Sequence, residues 1–300
     1  WTEILPLILG IIRSYFLISA DIFNNEAGFK IFEVLKGYLK TMRDDSVFLT
    51  SSILEIAILE KNAGNKEFFY SNLIKSGLFA EVVEYLIRDT DSPYCEIKVS
   101  LPLLRMIIDT PILVISNIGN ASVLNRLLGN LCRFAKNSFD PKVRKLFLLG
   151  LLSLYQVEGL QKESLVIIPP SKIDDFDELD YELEKLDKET GISAVLVLFF
   201  KRIVDLSLSF VEEIRELPSG DLKAYHKQTS YDDTDLQPYE PGYDENAEEQ
   251  DQEEYALEND VPPTAERLRY TQLLQNFDPV RMVFLRDALR GTVERVYWHI

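Results

Sequence analysis

Residues that commonly carry chemistry are scarce in this sequence. It contains two histidines, His226 and His299, and two cysteines, Cys95 and Cys132. A metal or acid–base centre needs several ligands or a supported base, and neither histidine has suitable neighbours in the sequence. The cysteines lie far apart, without metal-ligand spacing or a nearby histidine that would activate a thiolate. We therefore expect two buried, inert thiols in a protein of a reducing compartment, the nucleus or the cytoplasm.

Motifs that cradle phosphates or expose a nucleophile are absent as well. The sequence has no G-x-x-x-x-G-K loop, no G-x-G-x-x-G and no G-x-S-x-G. The turn at Gly119 needs glycine only for its permissive backbone. The sequence therefore predicts no catalytic residue, no metal site and no cofactor.

Carboxylates are concentrated in two stretches. Residues 231–260 hold thirteen Asp or Glu and no Lys or Arg, and residues 174–189 hold nine acidic residues against two basic ones. Together these stretches carry a charge of −20. Because the net charge of the whole chain is −17, the rest of the chain carries about +3. A nearly neutral body argues against direct nucleic-acid binding, which needs a basic surface. A basic protein surface is the better electrostatic match for the acidic stretches.

The longer acidic stretch is a candidate partner-binding segment. Asp232, Asp233 and Asp235 alternate loosely like the ligands of a calcium loop, but the required glycine and closing glutamate are not at the right offsets. With few aliphatic residues to bury, the stretch is expected to be disordered, either as a solubilising linker or as a surface that attracts or competes for a basic partner. The candidate residues are Asp232, Asp233, Asp235, Glu240, Asp244, Glu245, Glu248 and Glu249.

Apolar periodicity predicts one helix after another, and no segment alternates with period two. The first clear stripe has apolar residues every three or four positions from Phe29 to Met42, widened by Ile31, Val34 and Tyr38. The fold class predicted is all-α, an α-solenoid of antiparallel helix pairs. Further helices are predicted over 46–61, 66–75, 78–88, 95–108, 121–136, 141–155, 263–275 and 279–298.

Two apolar runs, Leu5–Ala20 and Ile192–Val211, are predicted to be buried core helices. Arg13 interrupts the first run, and three charged residues lie near the centre of the second. Each such charge costs roughly 3 kcal/mol inside a lipid bilayer. We therefore expect no membrane insertion. Because the sequence begins at Trp1 within an apolar run, we also expect it to be a piece of a longer protein.

One segment indicates the type of helix pair. Residues 124–155 form two apolar-striped helices joined by a turn that contains Asp140, Pro141, Val143 and Arg144. Asp140 can cap the second helix, Pro141 fits its first turn, and Val143 begins its buried stripe. Arg144 can reach a carboxylate or helix-terminal carbonyls in an adjacent repeat. This arrangement resembles the HEAT repeat with its D-P-x-V-R turn, and an ordinary helical hairpin is the alternative.

Four regions are predicted along the chain. Residues 1–156 form HEAT-type helical repeats, and residues 157–220 continue the solenoid with an acidic helix and a long hydrophobic helix. Residues 221–261 are an acidic disordered linker, and residues 262–300 form C-terminal helices.

The C-terminal tail carries a family resemblance. Pro262, Pro263 and Thr264 follow the acidic linker and precede a helix, and Asp278, Pro279 and Val280 then precede a last stretch of apolar-spaced residues. This order resembles the C-terminal end of importin-11-type karyopherins. With the HEAT-type turn, it makes the chain similar to the C-terminal HEAT-repeat portion of the importin-β superfamily, importin-11 branch.

The resemblance implies a nuclear transport receptor found in the nucleus, the cytoplasm and at the nuclear pore. Such a receptor binds protein cargo and FG nucleoporins. It binds Ran-GTP mainly through N-terminal repeats that this sequence does not contain, so Ran-GTP is expected only as a partner of the full-length receptor. A structural HEAT scaffold of another assembly, such as a phosphatase or a vesicle coat, is the alternative. A helical enzyme would need a convergent polar pocket that no motif here supplies.

Overall fold

The computed structural model describes residues 4–18, 26–41, 44–60, 66–88, 92–118, 121–138, 140–157, 203–211 and 265–299. Within these ranges the regular structure is helical and no residue lies in a strand, which confirms the all-α prediction. The first nine helices are α1 (Ile4–Ile18), α2 (Glu26–Thr41), α3 (Asp44–Glu60), α4 (Lys66–Lys75), α5 (Leu78–Ile87), α6 (Pro93–Asp109), α7 (Pro111–Asn117), α8 (Ala121–Asn137) and α9 (Pro141–Tyr155).

Four further helical segments follow. Residues 203–211 are helical, and the C-terminal part contains α10 (Ala265–Phe277), α11 (Pro279–Met282) and α12 (Leu285–His299). The acidic stretches, most of region 157–220 and the linker 221–261 lie outside the described residues.

Local chemistry explains where the helices begin and end. Pro93, Pro111, Pro141 and Pro279 stand in the first turn of their helices, where a missing N–H costs nothing. Gly77 ends α4 with a φ of 77°, a left-handed conformation that disfavours other residues.

The helices stack as two layers. In the first layer α1, α3, α6 and α9 lie side by side, and in the second layer α2, α5 and α8 do the same. Consecutive members pair across the layers as α2 with α3, α5 with α6, and α8 with α9. Each pair is one structural repeat that buries its apolar face against its neighbours, as expected of a solenoid.

Helix α6 is the centre of the first layer. It packs on α3 on one side and on α9 on the other, and its residues from Leu101 to Ile107 are all buried. Pro102 lies inside this helix and cannot donate the bond that the Lys98 carbonyl would normally accept. The Ser51 hydroxyl of α3 donates to that carbonyl instead, so the bond lost within α6 is replaced by one between repeats.

Aromatic and polar contacts join the second layer and the repeats. Phe32 and Phe69 pack edge to face with ring centroids 5.6 Å apart. Asn130 and Arg126 of α8 donate to the last carbonyls of α5, those of Leu86 and Ile87, over 2.7 Å each. These bonds satisfy helix-terminal groups that would otherwise need water.

The structure differs from the sequence predictions at four places. A short helix, α7, follows Thr110 where only a break was predicted, and Val283 in extended conformation divides the predicted helix 279–298 into α11 and α12. Val34 was expected to widen the buried stripe of α2, but it is 45% exposed. The first apolar run was expected to be buried throughout, yet α1 buries only the face that packs on its described neighbours, and its residues Leu7, Ile8, Ile11 and Tyr15 are exposed.

Within the described ranges, no single helix has the length and apolar character to cross a membrane. Helices α6 and α7 pass the length and composition criteria only together, and a bend of 117° separates them.

The close packing of α9 on α6 gives a stability prediction. A methyl group on Gly150 of α9 would lie 2.6 Å from Cδ2 of the buried Leu104 in α6, whereas Gly129 of α8 has open space. We expect Gly150→Ala to lower the free energy of unfolding by about 1 kcal/mol, because overpacking outweighs the gain in helix propensity. Gly129→Ala should raise it by about 0.5–1 kcal/mol. Urea denaturation of both variants measures the difference, and equal stabilisation by both would contradict the close packing.

Candidate functional site

The C-terminal helices lie across the first layer. Helix α10 packs on α1 and α3, and both α11 and α12 pack on α9. Leu273 and Leu274 of α10 are fully buried in this contact. The C-terminal segment therefore links three successive repeats that it follows by more than a hundred residues.

A buried arginine lies at the centre of this contact. Nη1 of Arg105, on α6, is 2.5 Å from Oε1 of Glu55 on α3, and its Nη2 is 3.3 Å from Oδ2 of Asp278. The Arg105 side chain is 6% exposed and that of Asp278 is 0% exposed. Burial disfavours the charged guanidinium, but the charges of Asp278 and Glu55 outweigh it, so the pKa of Arg105 lies above its ordinary value. The arginine is thus held charged in the interior by two helices at once.

Asp278 has two roles in the same place. Its Oδ1 accepts a hydrogen bond from the Val280 N–H over 3.1 Å and so caps α11, while its Oδ2 pairs with Arg105. The Asp-Pro turn at Asp140 has the capping role alone. Asp140 is exposed, and its Oδ1 accepts from the N–H groups of Lys142 and Val143 over 2.7 Å and 3.4 Å.

The C-terminal helices, residues 265–299, are called the docked segment below. A second ion pair fixes the N-terminal half of this segment. Nε and Nη2 of Arg269 each donate to one carboxylate oxygen of Glu60 over 3.0 Å, a bidentate arrangement between α10 and α3. Glu60 is 1% exposed and Arg269 is 42% exposed. Burial raises the pKa of Glu60, and the charge and hydrogen bonds of Arg269 oppose that rise. Arg269 therefore favours the ionised form of Glu60.

Two further bonds attach α11 and α12 to α9. Nζ of Lys145 donates to the Val280 carbonyl over 2.6 Å, and Nε2 of Gln156 donates to Oγ1 of Thr292 over 2.9 Å. Burial lowers the pKa of Lys145, and the charge of Asp278 opposes this. The polar bonds thus follow the whole length of the docked segment, from Arg269 to Thr292.

The structure places the predicted residues as follows. Asp278, Pro279 and Val280 of the tail motif lie in the docked segment, at the contact with α6 and α9. Pro262, Pro263 and Thr264 and the acidic candidates from Asp232 to Glu249 lie outside the described residues. Nothing here brings those acidic residues to a site, so their role remains a prediction.

The HEAT-type turn has the geometry expected of a repeat. Asp140 caps α9, Pro141 is in its first turn, and Val143 packs against the core. Nε of the buried Arg144 donates to the Ser138 carbonyl just after α8, over 3.2 Å. This bond joins the two helices of one pair, and a partner of Arg144 in a neighbouring repeat stays a prediction.

Sequence reasoning missed the charged residues that hold the docked segment. Glu55 and Glu60 stand in the apolar run that begins at Ile53, and Arg105 stands between Leu104 and Met106. A charge inside a run that is otherwise apolar is a signal for a buried, paired ion. It identifies the residues but not their partners.

No group of three or more His, Cys, Asp or Glu among the described residues is placed to hold a metal ion. Both cysteines are buried, as predicted, and burial raises the pKa of the Cys95 thiol. The structure therefore presents a surface for contacts between helices.

The two Asp-Pro turns provide a matched test of the buried ion pair. We expect Asp140→Ala to lower the free energy of unfolding by about 1 kcal/mol, the usual effect of a lost N-cap. Asp278→Ala should lower it by about 3 kcal/mol, because it also leaves the buried Arg105 with one carboxylate in place of two. Chemical denaturation of both variants measures this, and equal losses would show that the Arg105 contact contributes nothing.

The Glu60 pair predicts a pH-dependent effect. Arg269→Met keeps the apolar stem but removes the charge, and we expect it to lower the free energy of unfolding at neutral pH by about 1–2 kcal/mol. Without Arg269 the pKa of Glu60 in the folded variant rises further above its unfolded value. As pH falls, the folded variant therefore binds a proton before the unfolded chain does, and its deficit should shrink toward about pH 4. Lys30→Met, at an exposed pair with Glu26, is the control and should change little at any pH. A deficit of Arg269→Met that is independent of pH would contradict the role of charge.

Comparisons with known proteins agree with this architecture. The family model described as "Importin-11-like, TPR repeats" matches residues 1–297. TPR and HEAT repeats are both antiparallel helix pairs that stack into solenoids, so this description fits the observed layers. The importin beta-like protein KAP120 of Saccharomyces cerevisiae is 24% identical to this chain over 330 residues. The match covers 100% of this chain and 27% of that protein.

A solved structure has a similar fold. The structure of Lph2, described as a bidirectional nuclear transport receptor in Saccharomyces cerevisiae, matches with a TM-score of 0.65 and 23% identity. The match covers 100% of this chain and 27% of that one, so the chain spans about a quarter of the length of these relatives. Because the family model matches nearly the whole length of this chain, the chain belongs to the importin-11-like family of the importin-β superfamily.

Proposed function

We propose that this chain is the C-terminal part of a nuclear transport receptor that binds protein cargo and carries it through the nuclear pore. The observation that carries the proposal is the family match over residues 1–297, together with a solenoid that resembles a structure described as a nuclear transport receptor. On this proposal the receptor moves between nucleus and cytoplasm, contacts FG nucleoporins at the pore and is not an enzyme. Ran-GTP binds the full-length receptor, with no part assigned to this segment alone.

The docked segment is held firmly on the first layer of helices. The docked segment covers the first layer from α1 to α9, and it is held by ion pairs between groups that are largely buried. Separating it would leave Glu60 without its arginine and Arg105 with one carboxylate in place of two, which costs several kcal/mol in the interior. This cost supports a helical body that stays fixed, and we propose that cargo binds to other surfaces of the chain.

The acidic stretch 231–260 is the segment whose charge suits cargo. Its thirteen carboxylates stand without a single Lys or Arg, and a basic cargo would be attracted to them over about 8 Å at physiological ionic strength. We propose that Asp232, Asp233, Asp235 and the glutamates and aspartates that follow them add an attractive surface for basic cargo, or compete for it. A solubilising linker is the alternative role.

The charge of this stretch can be tested without changing its length. We expect a variant whose Asp and Glu residues in 231–260 are replaced by Asn and Gln to bind a Lys- and Arg-rich peptide about tenfold more weakly at low salt, because the attraction is electrostatic. The native chain should lose affinity steeply with salt, and the neutral variant should not. Fluorescence anisotropy of the labelled peptide measures both.

A peptide of the same length with the basic residues replaced by Gln is the control, and it should bind both forms equally. Tighter binding of the basic peptide by the neutral variant would show that the stretch competes with cargo. Equal affinities and equal salt slopes would leave only the linker role. A structural scaffold of another assembly is indicated instead if the full-length receptor binds neither FG-repeat fragments nor Ran-GTP.

A further inference from the structure

One exposed surface of the docked segment differs in character from the rest of this acidic chain. It lies on the exposed surface of α11 and α12, and it combines arginines with apolar side chains. We call it the basic patch, and it consists of Arg281, Met282, Phe284, Arg286, Arg290 and Val293.

The apolar members of the basic patch are unusually exposed. Phe284 is 71% exposed, Met282 is 62% exposed and Val293 is 51% exposed. The buried face of α12 is formed by other residues, among them Leu289 and Thr292, which point toward α9. The exposed apolar residues are therefore not needed to hold α12 in place.

The arginines lie close to these apolar residues. Arg286, Arg290 and Val293 are four and three residues apart, so they share one face of α12. The Phe284 carbonyl accepts from the Ala288 N–H over 3.1 Å, which places Phe284 at the start of the helix, about 9 Å along its axis from Arg290. Arg286 is 83% exposed and contacts Asp287 only at 3.5 Å. Arg286 and Arg290 therefore stand beside one aspartate among the described side chains of this face, on a chain whose net charge is −17.

Within the same chain, residues 231–260 have the complementary chemistry. They carry thirteen carboxylates, no basic residue and four tyrosines, Tyr231, Tyr239, Tyr243 and Tyr255. Arginine pairs with carboxylates and stacks on aromatic rings, and Met and Phe contact tyrosine rings favourably. The stretch ends five residues before α10 begins. A tether of this kind supplies an effective concentration in the millimolar range, which is sufficient for a weak, charge-driven contact.

We propose that the basic patch is the docking surface for residues 231–260 of the same chain. The contact combines carboxylate pairs at Arg281, Arg286 and Arg290 with tyrosine contacts at Met282 and Phe284. It weakens as salt is added, since both partners are at the surface. The proposal is independent of any cargo role, because it concerns two parts of one chain.

The methionines provide a direct reporter of this contact. The chain has three, Met42, Met106 and Met282, so methionine-methyl NMR gives three signals. Met282 is in the patch, whereas Met106 is 1% exposed in the core and serves as an internal control. A paramagnetic label attached through Tyr243→Cys, in a chain whose two native thiols are buried, should remove about half or more of the Met282 signal at low salt, as a tethered contact near millimolar affinity requires. The Met106 signal should keep its intensity.

Charge-reversal variants make the test specific. We expect Arg286→Glu with Arg290→Glu to restore the Met282 signal, as should about 1 M salt, at which the Debye length is about 3 Å. The control is Lys30→Glu with Lys75→Glu, which alters the net charge by the same amount at exposed positions of α2 and α4. This variant should leave the broadening unchanged.

Several results would overturn the proposal. One is a Met282 signal that has the same intensity at low salt whether the label is in its paramagnetic, oxidised form or in its diamagnetic, reduced form. Another is broadening that survives reversal of Arg286 and Arg290. A third is broadening that appears only when labelled chains are mixed with isotope-enriched ones, which would mean that the acidic stretch of a second copy occupies the patch.

Discussion

The buried charge of Arg105 is the constraint on which the arrangement of the C-terminal helices depends. A guanidinium in the interior is tolerated only when carboxylates surround it, because its desolvation costs several kcal/mol. Glu55 supplies one carboxylate from the neighbouring repeat, and Asp278 supplies the other from the docked segment. The central repeat thus carries a charge that is fully matched only when α11 is in place. Docking of the C-terminal segment and completion of the solenoid core are the same event.

Other polar contacts follow the same logic at a smaller scale. Pro102 leaves the Lys98 carbonyl of α6 without its usual donor, and Ser51 of α3 supplies one. Arg126 and Asn130 of α8 satisfy the last carbonyls of α5. In each case a backbone group left open in one repeat is satisfied by a side chain of another. Such bonds fix how one repeat is placed on the next, because apolar packing alone has little directional preference.

The distribution of charge separates the roles of the two parts of the chain. The body is nearly neutral because its acidic and basic residues are almost equal in number, and the excess negative charge belongs to the two acidic stretches. Paired interior ions serve stability and are insensitive to salt, whereas exposed charges act over a Debye length and respond to it. The chain thus combines paired interior ions, which are screened little by salt, with exposed charges that respond to it.

The sequence by itself determined the helices, most of their boundaries and the family. Apolar spacing is a local property, so the stripe from Phe32 to Leu39 and the Asp-Pro turn at Asp140 could be read without knowing any contact. The tail motif around Asp278 was equally local, and it led to the correct branch of the superfamily.

Only the tertiary structure decided which distant residues meet. Arg105 pairs with a residue 173 positions away and Arg269 with one 209 positions away, and no periodicity encodes such a separation. The exposed face of α1 and the exposure of Val34 also depend on which helices lie beside them. A single sequence shows that a charge stands among apolar residues and therefore needs a partner. The partner itself is set by how the whole chain packs, because many carboxylates could satisfy one arginine and only the folded arrangement brings two of them within bonding distance.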